Sequence, residues 1–176
     1  MSNLTDFFPS GGGGLTPKFE EFNASGTFTP SQALIDAGGY IEVFLVGGGG
    51  RTGTSYSTGA SGGEVLMKKM YLTSTNSLPV VIGAGGATSA ANGGNSTFNG
   101  ITAGGGNGNY TQYNLLTAGW GSRQNTAAGS GTLGYGAGAT ADGGGSGISQ
   151  AKANSGSASY YNYDGGSGYC LIKWYE

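Results

Sequence analysis

The sequence predicts an all-β framework around packed polyglycine II runs, with no significant α-helix. Two patterns lead to it. Short segments rich in β-branched and aromatic residues are each cut off by a glycine cluster. Glycine itself is concentrated: of 40 glycines, all but seven lie between Gly47 and Gly168, as doublets, triplets and one quartet. A glycine loses more backbone freedom on folding than any other residue, roughly 0.5–1 kcal/mol more than alanine. So glycine-rich a segment is either a disordered linker or locked by a structure that compensates. The spacing wanders, as in Gly134-Tyr135-Gly136 against Gly143-Gly144-Gly145, and there are only 4 prolines, which excludes collagen. The ordered alternative is a set of extended runs with about three residues per turn and no hydrogen bonds inside a run. Each N–H and C=O then bonds to a neighbouring run, at a distance that only glycine permits.

The elements follow in order. Residues 1–25 read as an N-terminal tail and linker, with Phe7-Phe8-Pro9 ahead of the spacer Gly11 to Gly14. Residues 26–176 form the glycine-rich β and polyglycine II domain. Two rings beyond a glycine hinge make Phe7 and Phe8 the candidates for anchoring the chain to another protein. Phe19, Phe22 and Phe28 suggest short extended segments packed on the body. Residues 40–46, a Tyr-Ile-Glu-Val-Phe-Leu-Val run ended by Gly47 to Gly50, are the clearest strand. Residues 64–72 form a second, and 78–82 a third whose Pro79 belongs at a strand start or edge. Residues 96–98, 101–103 and 169–175 complete the set. In the last, Cys170, Ile172 and Trp174 share a face, so Cys170 is a packing residue.

Composition excludes several functions. Charged residues make up 9% of the chain, the formal net charge is -2 and there is no histidine. The electrostatic footprint of a nucleic-acid binder is missing, as are the usual zinc ligands and the commonest general base. No apolar run approaches the ~20 residues of a membrane span, and the first residues do not read as a secretion signal. Val80 to Thr88 imitates a dinucleotide-binding turn, but Thr88 stands where the third glycine belongs and no acidic ribose ligand follows about 20 residues on. Asp142 and Asp164 flank glycine clusters as solvated turn residues rather than as a glycosidase pair. No cofactor, no metal and no enzymatic activity are expected.

Binding chemistry is better represented. Three stretches interrupt the glycine runs: residues 51–60 with Tyr56; residues 107–124 with Tyr110, Tyr113, Trp120 and Arg123; and residues 150–164 with Tyr160, Tyr161 and Tyr163. Tyrosine among serine, glycine and asparagine is the composition of recognition loops, since a rigid amphipathic ring offers contact area at low entropic cost. Arg123 offers a charge-assisted bond to an acidic group.

Phe44-Leu45-Val46-Gly47 to Gly50, Ala60-Ser61-Gly62-Gly63-Glu64, Ile82-Gly83-Ala84-Gly85-Gly86, Ser96-Thr97-Phe98-Asn99-Gly100 and Gly168-Tyr169-Cys170 occur in one order. Together they resemble the glycine-rich domains at the ends of bacteriophage tail fibres and their adhesins, over roughly residues 26–176. The resemblance implies a receptor-binding protein of the tail fibre or tail tip, located on the virion, whose partner is a host outer-membrane protein or surface glycan. It implies other virion proteins as partners of the N-terminal tail and a homo-oligomer, with a trimer suggested by the three-fold symmetry of many fibres. The alternative is a structural virion protein, a capsid decoration or fibre subunit without receptor contact.

Overall fold

The computed structural model describes residues 14–52, 60–108, 154–159 and 163–176. Eight strands and one short helix occur among them, in the order β1 (Pro17–Phe22), β2 (Gly26–Phe28), α1 (Gln32–Asp36), β3 (Tyr40–Val46), β4 (Val65–Tyr71), β5 (Leu78–Val81), β6 (Ser96–Phe98), β7 (Ile101–Ala103) and β8 (Tyr169–Tyr175). The strands make two four-stranded sheets, β1-β8-β3-β4 and β2-β5-β6-β7, with every pairing antiparallel. The all-β expectation therefore describes the fold, and among the described residues helix is confined to the five residues of α1.

The sheets bury one face each. Ile41, Val43 and Leu45 alternate along β3 and are at most 2% exposed, as a strand with one face on a core requires. Cys170 and Ile172 of β8 lie beside them, and Phe28, Val80, Phe98 and Ala103 come from the other sheet to the same cluster. Full burial of such apolar side chains stabilises by roughly 1.5–3 kcal/mol each. Phe28 stacks edge-on to both Phe98 and Trp174, with ring centroids 6.0 and 5.3 Å apart. Leu34 of α1 is fully buried and closes one side; Ser31 caps the turn by accepting a hydrogen bond from the Leu34 N–H at 3.0 Å. Cys170 is buried as expected. Burial and the Glu20 carboxylate push its thiol up to about 12, so it stays protonated and inert.

β1 is where the sequence reading falls short of the observed order. All six of its residues pair with β8, from Pro17 opposite Tyr175 to Phe22 opposite Cys170, so the segment is a full outer strand. At the other edge, Lys68 and Lys69 of β4 carry charge, a common guard against edge-to-edge pairing. β6 and β7 form a two-residue hairpin through Asn99 and Gly100, with φ of 40° and 79°. Positive φ at both positions is what such a turn needs.

Candidate functional site: the outer end of the glycine bundle

Six strand ends on one side of the sandwich continue into glycine-rich runs, while β1 and β2 are joined there directly through residues 23–25. β3 opens into 47–52, β5 into 83–87 and β7 into 104–108, while the runs 60–64, 92–95 and 164–168 lead into β4, β6 and β8. A seventh run, 154–159, lies parallel to 47–52, with a parallel bridge from Arg51 to Ser159. The sandwich thus has a second body built on one of its ends.

The run 47–52 is the axis of that body. Its successive N–H groups donate to Glu64, Gly94, Gly166, Ser61, Ala91 and Ser159, at 2.8–3.2 Å. Gly47 and Gly50 thus address one neighbour, run 60–64, while Gly48 and Arg51 address another, the segment 91–95. These two pairs repeat at three residues, whereas Gly49 and Thr52 address different runs, 164–168 and 154–159. The carbonyls of 47–52 accept from the remaining runs: Gly106 donates to Gly48 O, Gly86 to Gly49 O and Ser159 to Gly50 O. All six other runs are therefore bonded to this one.

Those six are also bonded to each other in a closed ring. Run 60–64 joins 104–108 through Ser61 to Asn107 and Glu64 to Gly104; 104–108 joins 92–95 through Gly93 to Gly106; and 92–95 joins 83–87 through Gly94 to Ala84. The circle continues through Gly165 to Gly86 and Gly168 to Gly83, then Gly166 to Ser157, and it closes through Gly63 to Gly156. Ring and axis leave no room for side chains between backbones. A Cβ at Gly48 would lie 2.7 Å from the carbonyl carbon of Ala84, and nearer still to its oxygen. Donors that find no carbonyl bond to side chains instead. Asn95 Oδ1 accepts from Gly105, Asn92 Oδ1 from Gly108 and Ser61 Oγ from Asn107, at 2.7–2.9 Å.

A glycine-rich domain family model matches residues 22–175, which run from the end of β1 to the end of β8. The chain belongs to the glycine-rich domain family. No curated protein matches it.

The glycine-rich domain has one end built on the sandwich and one end away from it. At the far end Arg51 ties three runs together. Its Nη1 donates to the Ala87 carbonyl at 2.6 Å and to Asp164 Oδ1 at 2.7 Å. The arginine is largely covered, and its Nε has no partner among the described residues. The described chain leaves this end at Thr52, Gly108 and Ser159, and it returns here at Ala60 and Tyr163. The stretches 53–59 and 160–162 therefore both start and finish at this end, and 109–153 starts at it.

Of the residues singled out from the sequence, Tyr56, Tyr110, Tyr113, Trp120, Arg123, Tyr160 and Tyr161 lie outside the described residues, as do Phe7 and Phe8. Tyr163 is described. It is half-buried, and its carbonyl accepts a hydrogen bond from Ser159 Oγ, so its backbone closes the end of runs 154–159 and 164–168. Asp164 is exposed and ion-paired to Arg51. The clamp at Arg51 was missed from sequence, where that residue marked only the start of a loop. Its position directly after the glycine quartet was the available signal. Among the described residues no group of three or more His, Cys, Asp or Glu is placed to hold a metal ion. No helix among them is long and apolar enough to cross a membrane.

Proposed function

We propose that the chain is a receptor-binding protein of a bacteriophage tail fibre or tail tip, a non-enzymatic adhesin that recognises a host outer-membrane protein or surface glycan. One observation carries the reading: all three tyrosine-bearing stretches leave the glycine bundle at the same end, the end opposite the β-sandwich. In this account the seven runs are polyglycine II helices, a reading supported by the three-residue spacing of two donor pairs along 47–52, Gly47 with Gly50 and Gly48 with Arg51. Tyr56, Tyr110, Tyr113, Trp120, Arg123, Tyr160 and Tyr161 are the contact residues, and Tyr163 positions the last of these stretches.

The mechanism is rigid presentation. Loop bases pinned by cross-run hydrogen bonds lose little freedom on contact, so less of the interaction energy is spent on ordering. Several copies on one particle then convert weak single contacts into avidity. Aromatic faces with small polar neighbours suit either a sugar ring or an exposed protein edge.

The test is adsorption. Replacing Tyr160 and Tyr161 together by serine is expected to abolish binding of the purified chain to host cells while the melting temperature stays unchanged. Undiminished binding by that variant and by Tyr110→Ser/Tyr113→Ser would overturn the assignment.

A further inference from the structure

The β1-β8-β3-β4 sheet ends on two strands, β1 and β4, and among the described residues neither has a strand on its outer side. The two edges are unlike. β1 carries Glu20 and Glu21 beside Lys18, whereas β4 carries Lys68 and Lys69 and no acid. Which backbone groups point outwards follows from the alternation of an antiparallel ladder. Thr16 and Glu176 exchange both hydrogen bonds, at 2.7 and 3.1 Å, so Lys18, Glu20 and Phe22 also turn their backbones to β8, and Phe19 and Glu21 turn theirs away from it. On the other edge Leu72 donates to Gly39 O and Gly47 to Glu64 O, at 2.8 and 2.9 Å, so Leu66, Lys68 and Met70 address β3. Met67, Lys69 and Tyr71 therefore point their N–H and C=O groups out of the sheet.

We propose that these edges pair between copies, β1 of one chain continuing the sheet beyond β4 of the next. Three antiparallel steps separate the two strands, so they run in opposite directions within a chain. A neighbour set alongside without being inverted thus brings β1 antiparallel to β4, with the core faces on the same side. Three demands fix the register. Outward backbone groups must meet outward groups, Pro17 must stay out of the ladder because it has no N–H to donate, and like charges must not be opposed. Placing Phe19 opposite Tyr71 and Glu21 opposite Lys69 meets all three. Two rings that are 68% and 72% exposed then cover each other. Lys69 is equally open to solvent; it keeps Glu42 at 3.5 Å on one side and has ammonium donors left for a second carboxylate. On the core side Glu20 comes opposite Met70 and diagonal to Lys68. The lysines that deter two β4 edges from pairing therefore select β1. Both halves of the contact lie on this chain, so a second copy is the occupant that the edges themselves specify. Because the halves differ, the contact is head-to-tail, and a row of copies keeps one unfilled edge at each end until a ring closes.

Disulfide trapping in the full chain tests this. Residues opposed in a hydrogen-bonded pair have Cα atoms about 5.5 Å apart, within the span of a disulfide. Within one chain Phe19 and Tyr71 are three strand spacings apart, on the order of 14 Å or more, too far to bridge. Cys170 is buried and inert, so it stays in place. Mild oxidation of a Phe19→Cys chain mixed with a Tyr71→Cys chain is expected to link one copy of each. The mixture of Phe19→Cys with Met67→Cys, which is out of register, is expected to link far less. In sedimentation, Glu21→Lys is expected to weaken association roughly five-fold, the upper range for an exposed ion pair, and Glu21→Lys/Lys69→Glu is expected to restore it. A native chain that sediments as a single copy at every concentration would overturn the proposal. So would an assembly that gives no link between positions 19 and 71, equal linking in the out-of-register mixture, or a double variant that does not recover.

Discussion

At the scale of single residues, equivalent substitutions have opposite consequences at neighbouring glycines. Gly48→Ala would drive a methyl into the Ala84 carbonyl, and neither backbone can yield because each is bonded on other sides. A loss at the upper end of overpacking costs, about 3 kcal/mol or more, is expected from denaturant unfolding. Gly104→Ala meets only Glu64 Oε2, at 3.5 Å. Its smaller unfolded-state entropy makes it neutral or stabilising by up to ~1 kcal/mol. Titration gives a second prediction. The Ser31 hydroxyl, the Trp174 indole and the Lys18 ammonium hold the Glu176 carboxyl below its usual range, and the Tyr40 hydroxyl does the same for Glu42, with help from Lys69. A lowered folded pKa contributes stability that is complete above the unfolded value and is lost as pH falls through the folded one. Stability is thus expected to hold down to about pH 5 and to decline below about pH 4.5, with Glu176→Gln showing a shallower decline in the same titration.

Elements meet at the junction between strands and runs, and Ser96 is the fastening there. Its hydroxyl donates to Val46 O at the end of β3, at 2.6 Å, and accepts from the Gly83 N–H at 2.9 Å. Ser96→Ala strands both groups in a fully buried site, so a loss of about 1–3 kcal/mol is expected in denaturant titration. The strands that meet at such junctions were legible in the sequence because an apolar alternation ran into a glycine cluster, as β3 does at Gly47 and β8 from Gly168. β1 was not legible as a ladder strand: with Lys18, Glu20 and Glu21 it buries only Phe22, and its order comes from pairing with β8. The single turn of α1 is too short to show a helical period; its signal was Ser31 placed three residues before Leu34. The tyrosine-bearing interruptions were likewise visible as letters. That they open at one end was not, because the direction of each run is fixed by hydrogen bonds between segments more than a hundred residues apart, such as Gly49 to Gly166.

At the scale of the whole molecule the account rests on one run of backbone surrounded by six others, joined to a sandwich whose strands set their spacing. Such an arrangement satisfies buried peptide groups without a conventional apolar core, because Gly47 to Gly50 are all buried and all four N–H groups are bonded to other runs. In the proposed function, this bonding is what would hold the bases of the contact loops in place. Hydrogen exchange of individual amides in the intact chain tests this most directly. The account predicts that the amides of Gly48, Gly49 and Gly50 exchange as slowly as those of Val43 and Leu45 in β3, and more slowly than Gly105 and Gly108 on the ring, which bond to side chains. Exchange of the three axial glycines at the rate of an unstructured peptide, with β3 still protected, would contradict it.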